Sequence, residues 1–209
     1  LNLFMERFMN MKYDEEKYRL RTIKHDEKYL RQTSSDVLKG DPDLKQEIEI
    51  LSNYCRSNGN LMALASVQIG IPKKIIYIMK TDEYDALKEN DFEDKKIVMI
   101  NPCILEEKGE TYYWEACASC MDNMGLVKRP YSIRVEYFDQ DFNLKTEVFE
   151  GLKATVFSHE YDHLFGILHI DISEKIYDMP QDERKKFRSL DENKYLVVSK
   201  TKKYKHPLR

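Results

Sequence analysis

The sequence lacks any apolar run that approaches the roughly 18 residues a membrane-spanning helix requires. It also lacks an excess of basic residues: the formal net charge is -3, which gives no indication of a nucleic-acid groove. Residues 1–20 contain no apolar stretch typical of a signal peptide, and no internal repeat is present. These absences predict a protein with no membrane partner and no specific nucleic-acid partner.

Cysteine is scarce, with four residues: Cys55, Cys103, Cys117 and Cys120. They could form two disulfides, but a chain of this size has no need of them. The rest of the composition, with 42% hydrophobic, 11% aromatic and 34% charged residues, is typical of a soluble globular protein with a very polar surface. The 209 residues are enough for one well-packed domain and few for two.

The most informative motif is His159-Glu160-Tyr161-Asp162-His163. On a helix, histidines four residues apart lie on one face, so both imidazoles can bind one metal ion. The glutamate between them can reach a water on that ion, which makes this the H-E-x-x-H signature of a hydrolytic metal site. The apolar residues 151–158 predict a buried helix, whose polar side chains need partners that a metal would supply. A coincidental histidine pair on a surface helix is the alternative.

The sequence offers two candidates for the third ligand. His169 completes H-E-x-x-H-x-x-G-x-x-H, the metzincin protease pattern, in which the glycine turns the chain toward a third imidazole. Cys117 would instead supply a thiolate and leave a fourth position open for water. A further alternative joins Cys117 and Cys120 to both motif histidines in a closed structural zinc site. The gap between those pairs, residues 121–158, is much longer than in zinc fingers.

Three blocks of the sequence resemble peptide deformylases, enzymes that remove the formyl group from N-formylmethionine at new protein N-termini. The family's last block, H-E-x-D-H, matches residues 159–163, including the aspartate. Its middle block, E-G-C-L-S, is kept at the first, third and fifth positions of Glu115-Ala116-Cys117-Ala118-Ser119. The order and spacing of the blocks make the resemblance specific, and it runs from about Arg21 to Ile172.

The first block departs most from the family pattern. The family reads G-x-G-x-A-A-x-Q, whereas residues 61–68 keep one alanine and the glutamine, Gln68. Leu61 and Ala63 stand where the family has glycines, and their side chains are expected to reshape the entrance to the site.

The resemblance implies one divalent metal ion held by three ligands: Cys117, His159 and His163. His169 falls where the family carries no ligand. The family uses ferrous iron in the cell, and Zn²⁺, Ni²⁺ or Co²⁺ can replace it, as the softness of these ligands permits.

The resemblance also assigns the catalytic roles. Glu160 takes the proton of the attacking water and passes it to the departing amine. The side chain of Gln68 and the backbone N–H of Ala118 donate to the oxyanion. From charge and family position, Glu115 and Arg129 are expected to pair and brace the cysteine loop.

The methionine side chain of the substrate needs an apolar slot beside the metal. The helix face before the histidines and the first block supply the candidate residues: Met62, Ala63, Leu152, Thr155 and Val156. By periodicity alone these are core residues, and we expect most of them to serve both purposes.

The local patterns predict an α+β fold, with mostly antiparallel strands packed around a buried central helix that carries the metal site. Turn signals and hydrophobic periodicity give the expected elements. These are a helix from 41–42 to about 55, strands at 74–79 and 96–100, a hairpin of 131–138 with 144–150, the motif helix, an extended segment at 167–172 and a polar helix at about 180–190. Residues 81–96 are expected to be a solvated acidic loop.

We expect three regions: residues 1–20 as a leader remnant or flexible N-terminus, 21–190 as a single catalytic domain, and 191–209 as a basic, disordered C-terminal tail. The expected partner is an N-formylmethionyl peptide or nascent chain, with transient ribosome contact by the tail as the minor alternative. The required thiolate argues for a reducing compartment, either the cytoplasm or a bacterial-type organelle such as a plastid or mitochondrion.

Overall fold

The computed structural model describes residues 16–58, 61–79 and 96–209. Residues 1–15 of the predicted leader and 81–95 of the predicted acidic loop lie outside these ranges. Within them, no helix is both long and apolar enough to cross a membrane.

The described helices are short, and the longest are those that pack into the core. In chain order they are α1 (Ile23–Leu30), α2 (Leu44–Ser57), α3 (Gly151–His163), α4 (His169–Ile172) and α5 (Gln181–Ser189). Single turns of 3₁₀ helix form at Ser66–Ile69, Ala118–Cys120 and Asp191–Asn193.

Eight strands among the described residues form one sheet, and every pairing in it is antiparallel. The strands are β1 (Ala63–Ala65), β2 (Ile75–Met79), β3 (Lys96–Ala116), β4 (Asn123–Arg129), β5 (Ser132–Phe138), β6 (Leu144–Glu150), β7 (Ser173–Asp178) and β8 (Leu196–Lys203). The main path runs β1-β2-β3-β4-β7, β5 joins β3 to β6, and β8 pairs with β3.

Strand β3 organises the sheet because it is 21 residues long and pairs with four other strands. Its first part pairs with β2 and β5, and its last part with β4 and β8. Register shifts beside Cys103 and between Ile104 and Glu106 interrupt the pairing with β5. Such bulges bend a strand and increase its twist. Cys117 directly follows the last residue of β3, and its sulfur lies 3.3 Å from His163 of helix α3.

Strand β2 shows why the core has two main parts. Its residues are all apolar, and successive side chains point to opposite faces of the sheet. Ile75 and Tyr77 pack with helix α2 in one cluster, whereas Ile76 and Ile78 pack with α3 in the other. The sheet is thus covered on both faces here, which explains the continuous apolar run.

Helix α3 is the central helix that the sequence predicted. From Ala154 to His163 only Val156 is not fully buried. Its apolar residues Phe157, Tyr161 and Ala154 pack with β2 and β5 in the second core cluster. The predicted α+β class, with antiparallel strands around a buried helix, is therefore confirmed.

Two local predictions are wrong. Residues 169–172, expected to be extended, form the short helix α4. The carboxylate of Asp171 accepts the backbone N–H of Leu168 at 2.7 Å, a capping bond that favours this turn.

The basic tail was expected to be disordered, but residues 196–203 form β8 on β3, and Tyr204 and His206 are buried. An unpaired strand edge offers hydrogen bonds that the composition of a basic segment does not reveal.

Candidate metal centre

Cys117, His159 and His163 meet at one point. Their candidate ligand atoms all lie within 4.8 Å of one another, and all three residues are buried. The sulfur of Cys117 is 3.3 Å from Nε2 of His163. In the part of the chain that the structure describes, this is the only group of three or more potential metal ligands so placed. A thiolate and two imidazoles are a suitable donor set for zinc or another first-row divalent metal.

His159 is oriented by a carboxylate behind it. Its Nδ1 lies 2.8 Å from Oε2 of Glu115, and a neutral imidazole that donates from Nδ1 presents an unprotonated Nε2 on its other side. Arg129 holds Glu115 through two bonds, from Nε to Oε1 at 2.8 Å and from Nη2 to Oε2 at 2.9 Å. The predicted pairing of Glu115 with Arg129 is confirmed. An outer carboxylate of this kind fixes the tautomer of a metal-binding histidine.

Arg129 also donates to Asp162, the neighbour of His163 in the motif. The guanidinium is completely buried and joins two buried carboxylates. Burial alone would raise the pKa of both acids, but the positive charge of Arg129 dominates. It holds the pKa of Glu115 well below its usual range and, with His206 and Arg209, the pKa of Asp162 at about 2. Both acids are therefore charged at neutral pH, and a chain of ionic hydrogen bonds runs from His159 through Glu115 and Arg129 to Asp162, the residue before His163.

Glu160 follows His159 in the motif and is not one of the three candidate ligands. Its Oε2 accepts the backbone N–H of Ala65 at 2.8 Å. Burial raises the pKa of Glu160 to about 7; the electrostatic interaction with His159 opposes this shift, and the interaction with Cys117 adds to it. A divalent cation at the cluster would lower that pKa, because it favours the carboxylate. A carboxyl group in this setting can exchange a proton near neutral pH.

Gln68 faces the cysteine loop from the 3₁₀ turn that follows β1. Its Nε2 donates to Ser119 Oγ at 3.0 Å and lies 3.3 Å from the sulfur of Cys117. Its Oε1 accepts the same Ala65 N–H that binds Glu160, at 3.0 Å. Ala118, at the start of the second 3₁₀ turn, is exposed. The side chains of Gln68 and Glu160 therefore converge on one backbone group next to the ligand cluster.

Two other candidate ligands stand apart from the cluster. His169 points its Nε2 at the carbonyl of Asn123, 3.3 Å away, and stacks behind His159 with ring centroids 5.5 Å apart. Burial lowers the pKa of His169, so its imidazole is neutral. Cys120 packs with Leu168 and Cys117 in a small apolar cluster, but it is not one of the three candidate ligands.

Comparisons with known proteins agree with this geometry. The family model described as polypeptide deformylase matches residues 20–178. The peptide deformylase of Mesorhizobium japonicum is 38% identical over 168 residues, which are 79% of this chain and 89% of that protein. The peptide deformylase of Rhizobium meliloti is 36% identical over 149 residues, which are 70% of this chain and 80% of that protein. The chain belongs to the peptide deformylase family.

Solved structures of peptide deformylases share the fold. The enzyme from Thermotoga maritima has a TM-score of 0.64 at 30% identity, over 76% of this chain and 98% of that one. The peptide deformylase from Synechococcus elongatus, solved with actinonin, has a TM-score of 0.66 at 29% identity, over 78% of this chain and 84% of that one. Deformylases are hydrolases that remove formyl groups, and the family is metal-dependent, so this chain is an enzyme of that class.

The family assignment and the positions of His169 and Cys120 leave the two alternative functions without support. A metzincin-type protease would need His169 at the metal, and a closed zinc site would need Cys120 there. Neither residue belongs to the cluster.

The residues expected to hold the substrate's methionine lie on two elements. Leu152 and Val156 of α3 are partly exposed, and Thr155 between them is buried. They precede His159 by seven, three and four residues, so one face of the helix carries them all. Met62, just before β1, and Ala63, the first residue of β1, are partly buried.

Leu61, the larger departure from the deformylase pattern, packs against the core cluster of α2. The backbone N–H of Leu61 donates to the carbonyl of Cys55 at 3.0 Å. Part of this side chain is therefore directed into the core, a placement that the motif comparison did not anticipate.

Sequence reasoning missed two groups around the site. Residues 17–21 pack over the Gln68 turn, where the N–H of Arg21 donates to the carbonyl of Gln68 at 2.7 Å. His206 and Arg209 reach Asp162. The aspartate of H-E-x-D-H was the only signal that a further partner exists, and it does not identify which residue that is.

Proposed function

We propose that this chain is a metal-dependent deformylase that removes the formyl group from N-formylmethionyl nascent proteins, with Cys117, His159 and His163 as the metal ligands. The observation that carries the proposal is the convergence of these three residues within 4.8 Å, with Glu160 and Gln68 adjacent. Three protein ligands leave a fourth position for water, as catalytic sites require. When bound, a divalent ion lowers the pKa of a water from near 16 to about 7 and polarises a carbonyl.

Glu160 performs the proton transfers in this proposal. Its buried carboxylate accepts the proton of the water that attacks the formyl carbon, and then gives it to the departing amine. Its contact with the Ala65 N–H fixes one oxygen and leaves the other available. Formate and a free methionyl N-terminus are the products.

Gln68 and Ala118 stabilise the negative charge that develops on the formyl oxygen. The Gln68 side chain already presents its N–H₂ group to the cysteine loop, and its Oε1 is fixed by Ala65. The Ala118 N–H lies at the exposed start of a turn, one residue after Cys117. Donors that are fixed before the reaction need no reorganisation during it, and one of them contributes about 3–4 kcal/mol.

Substrate selection is proposed to depend on an apolar slot for the methionine side chain. Its residues are Met62, Ala63, Leu152, Thr155 and Val156. The partly exposed positions Leu152 and Val156, on the His159 face of α3, support this assignment.

The metal in the cell is proposed to be ferrous iron, with Zn²⁺, Ni²⁺ or Co²⁺ as functional replacements. All four cysteines are free, which fits a reducing cytoplasm or bacterial-type organelle. Exposed lysines of β8, Lys200, Lys202 and Lys203, are candidates for transient contact with ribosomal RNA.

Two assays on the metal-loaded enzyme test the proposal. Formate release from a formyl-Met peptide is expected, whereas casein is not expected to be cleaved. Casein cleavage without formate release would refute the proposed reaction.

A further inference from the structure

Residues 204–209 fold back against the helix that carries both metal-binding histidines. Tyr204 and His206 are 5% and 4% exposed, and the hydroxyl of Tyr204 donates to the carbonyl of Lys128 at 3.0 Å. Strand β8, directly before this segment, is paired with β3. The segment is therefore fixed at both its start and its middle, close to the end of β4 that carries Arg129.

This segment approaches both carboxylate oxygens of Asp162, including the one that Arg129 binds. Arg129 binds Oδ2, whereas Nε of Arg209 lies 3.2 Å from Oδ1. Nε2 of His206 lies 3.2 Å from Oδ1 and 3.3 Å from Oδ2. Asp162 is 1% exposed, so these side chains replace the water that a surface carboxylate would bind.

The partners of His206 determine which of its nitrogens carries the proton in the neutral ring. Its Nδ1 accepts the backbone N–H of Leu208 at 3.1 Å, so the hydrogen is on Nε2. That hydrogen points at Asp162. The imidazole therefore donates to the carboxylate without needing a positive charge.

Arg209 adds a positive charge next to the buried carboxylate of Asp162. Glu115 and Asp162 are two buried carboxylates that share one buried guanidinium, that of Arg129. A buried carboxylate without a compensating charge is strongly destabilised. The guanidinium of Arg209, 4.8 Å above the ring of Tyr161, adds a second positive charge, which also pairs with Glu107 at 3.5 Å.

We propose that His206 and Arg209 are positioning residues of the metal centre. They hold Asp162, Asp162 holds Arg129, and Arg129 holds the carboxylate of Glu115 that orients His159. The helix backbone carries the same restraint from Asp162 to the adjacent His163. The inference rests on the proposed ligand set, and it makes residues 204–209 part of the support of that site.

Cobalt binding tests the inference with a readout other than activity. Wild-type protein and the variants His206→Ala and Arg209→Ala are loaded with Co²⁺, and the thiolate-to-cobalt absorption band is followed after a chelator is added. Removing an outer partner of a metal ligand typically weakens binding about 10–100-fold. Since His206 and Arg209 act through intermediate residues, we expect cobalt loss to be about 3–10-fold faster.

Matched variants separate positioning from a general loss of stability. Lys205→Ala removes the exposed side chain between the buried Tyr204 and His206, and its rate of cobalt loss is expected to match that of the wild type. His206→Gln keeps a donor near Asp162 and is expected to restore slow cobalt loss. The side chain of Arg209 is 21% exposed, so Arg209→Ala is expected to fold and can carry the test without the His206→Ala variant.

Two results would overturn the inference, and they are distinguishable. If the melting temperature of the metal-free variants falls while cobalt loss stays within twofold of the wild type, residues 204–209 have a structural role only. If cobalt-loaded Cys117→Ala shows the same absorption band as the cobalt-loaded wild type, the proposed ligand set is wrong, and the inference is wrong with it.

Discussion

At the scale of single residues, Glu160 is distinguished from Asp162, the other buried acid of the motif, by its pKa: burial raises the pKa of Glu160 to about 7, whereas the pKa of Asp162 is lowered. Its carboxyl group accepts the Ala65 N–H, which is also bound by Gln68, whose Nε2 lies 3.3 Å from the sulfur of Cys117. A structural acid in this position would chiefly support the fold, whereas a proton shuttle would chiefly affect the rate. The Glu160→Gln substitution separates these roles, since glutamine keeps the shape and one acceptor oxygen but cannot take a proton.

We expect Glu160→Gln to retain metal and fold while losing at least the general-base contribution, about 10²–10⁴ in rate. Protonation of the leaving amine fails in the same variant, so the loss is expected at the upper end. The measurement is formate release per bound metal atom. A rate near that of the wild type would remove Glu160 from the mechanism.

The ligand set makes a second prediction at this scale. Cys117→Ala is expected to empty the site, because the thiolate is one of only three protein ligands. His169→Ala and Cys120→Ala are matched controls, since both residues are buried near the cluster without joining it. Metal content after gel filtration decides the matter. Loss of metal from His169→Ala with retention by Cys117→Ala would reverse the assignment, and loss from Cys120→Ala would favour a closed zinc site.

The three residues that form the candidate metal cluster could be predicted from the sequence because their signal is local. Helical spacing places His159 and His163 on one face, and the block around Cys117 resembles a known pattern. His206 and Arg209 carry no such signal. They reach Asp162 only because β8 pairs with β3, and no short-range pattern encodes a contact across that distance in the chain.

At the scale of elements, the predictions succeeded for helices and strands whose buried residues form an apolar pattern in the sequence. Strand β2 is an apolar, buried run, and helix α3 begins with the apolar residues 151–158 and ends in the H-E-x-D-H motif, so both were identified. Strand β7 reads Ser-Glu-Lys-Ile-Tyr-Asp and is mostly exposed, and it was missed. Strands of that kind form because a neighbour offers backbone hydrogen bonds. The pairing of β7 with β4 supplies them, and composition does not show this.

The turn that carries Gln68 depends on Gly70. Gly70 has a φ of +87°, and a Cβ there would lie 2.1 Å from the carbonyl oxygen of Lys17. A side chain at this position would therefore be strained and would also displace residues 17–21. Since Arg21 binds the carbonyl of Gln68, that displacement reaches a catalytic candidate.

Gly40→Ala is a matched control for Gly70→Ala, because Gly40 has a φ of +86° with nothing within 4 Å of the added Cβ. Strain alone is expected to cost Gly40→Ala about 1 kcal/mol of unfolding free energy. We expect Gly70→Ala to lose more, roughly 2–3 kcal/mol, together with part of its formate-releasing activity. Urea denaturation measures both losses of stability. Equal losses would show that residues 17–21 move aside without cost.

At the scale of the whole molecule, ion pairs attach the segment before α1 to Asp26 of that helix. Asp26 binds Arg19 through both carboxylate oxygens, at 2.8 and 2.9 Å, and accepts the backbone N–H of Thr22 at 3.1 Å. The bond from Arg19 is the largest cause of a pKa of about 2 for Asp26, well below the ordinary value. The same segment covers the Gln68 turn, so its attachment connects acid stability to the site.

A depressed pKa in the folded state gives the sign of the acid response. The stabilisation that the Asp26 carboxylate gives the folded state is fully present above the pKa of Asp26 in the unfolded chain, near 4. It is lost as the pH falls toward 2, the pKa in the folded state. We therefore expect Asp26→Asn to lower the melting temperature at pH 6, and the difference from the wild type to shrink steadily between pH 5 and pH 2. Asp191→Asn is the control, because that side chain is 93% exposed in its pair with Lys194 and such pairs contribute little. A difference between wild type and Asp26→Asn that stays constant with pH would mean that the charge of Asp26 does not stabilise the fold. Residues 16–22 would then be held in place by their other contacts, such as the bond from the Arg21 N–H to the carbonyl of Gln68.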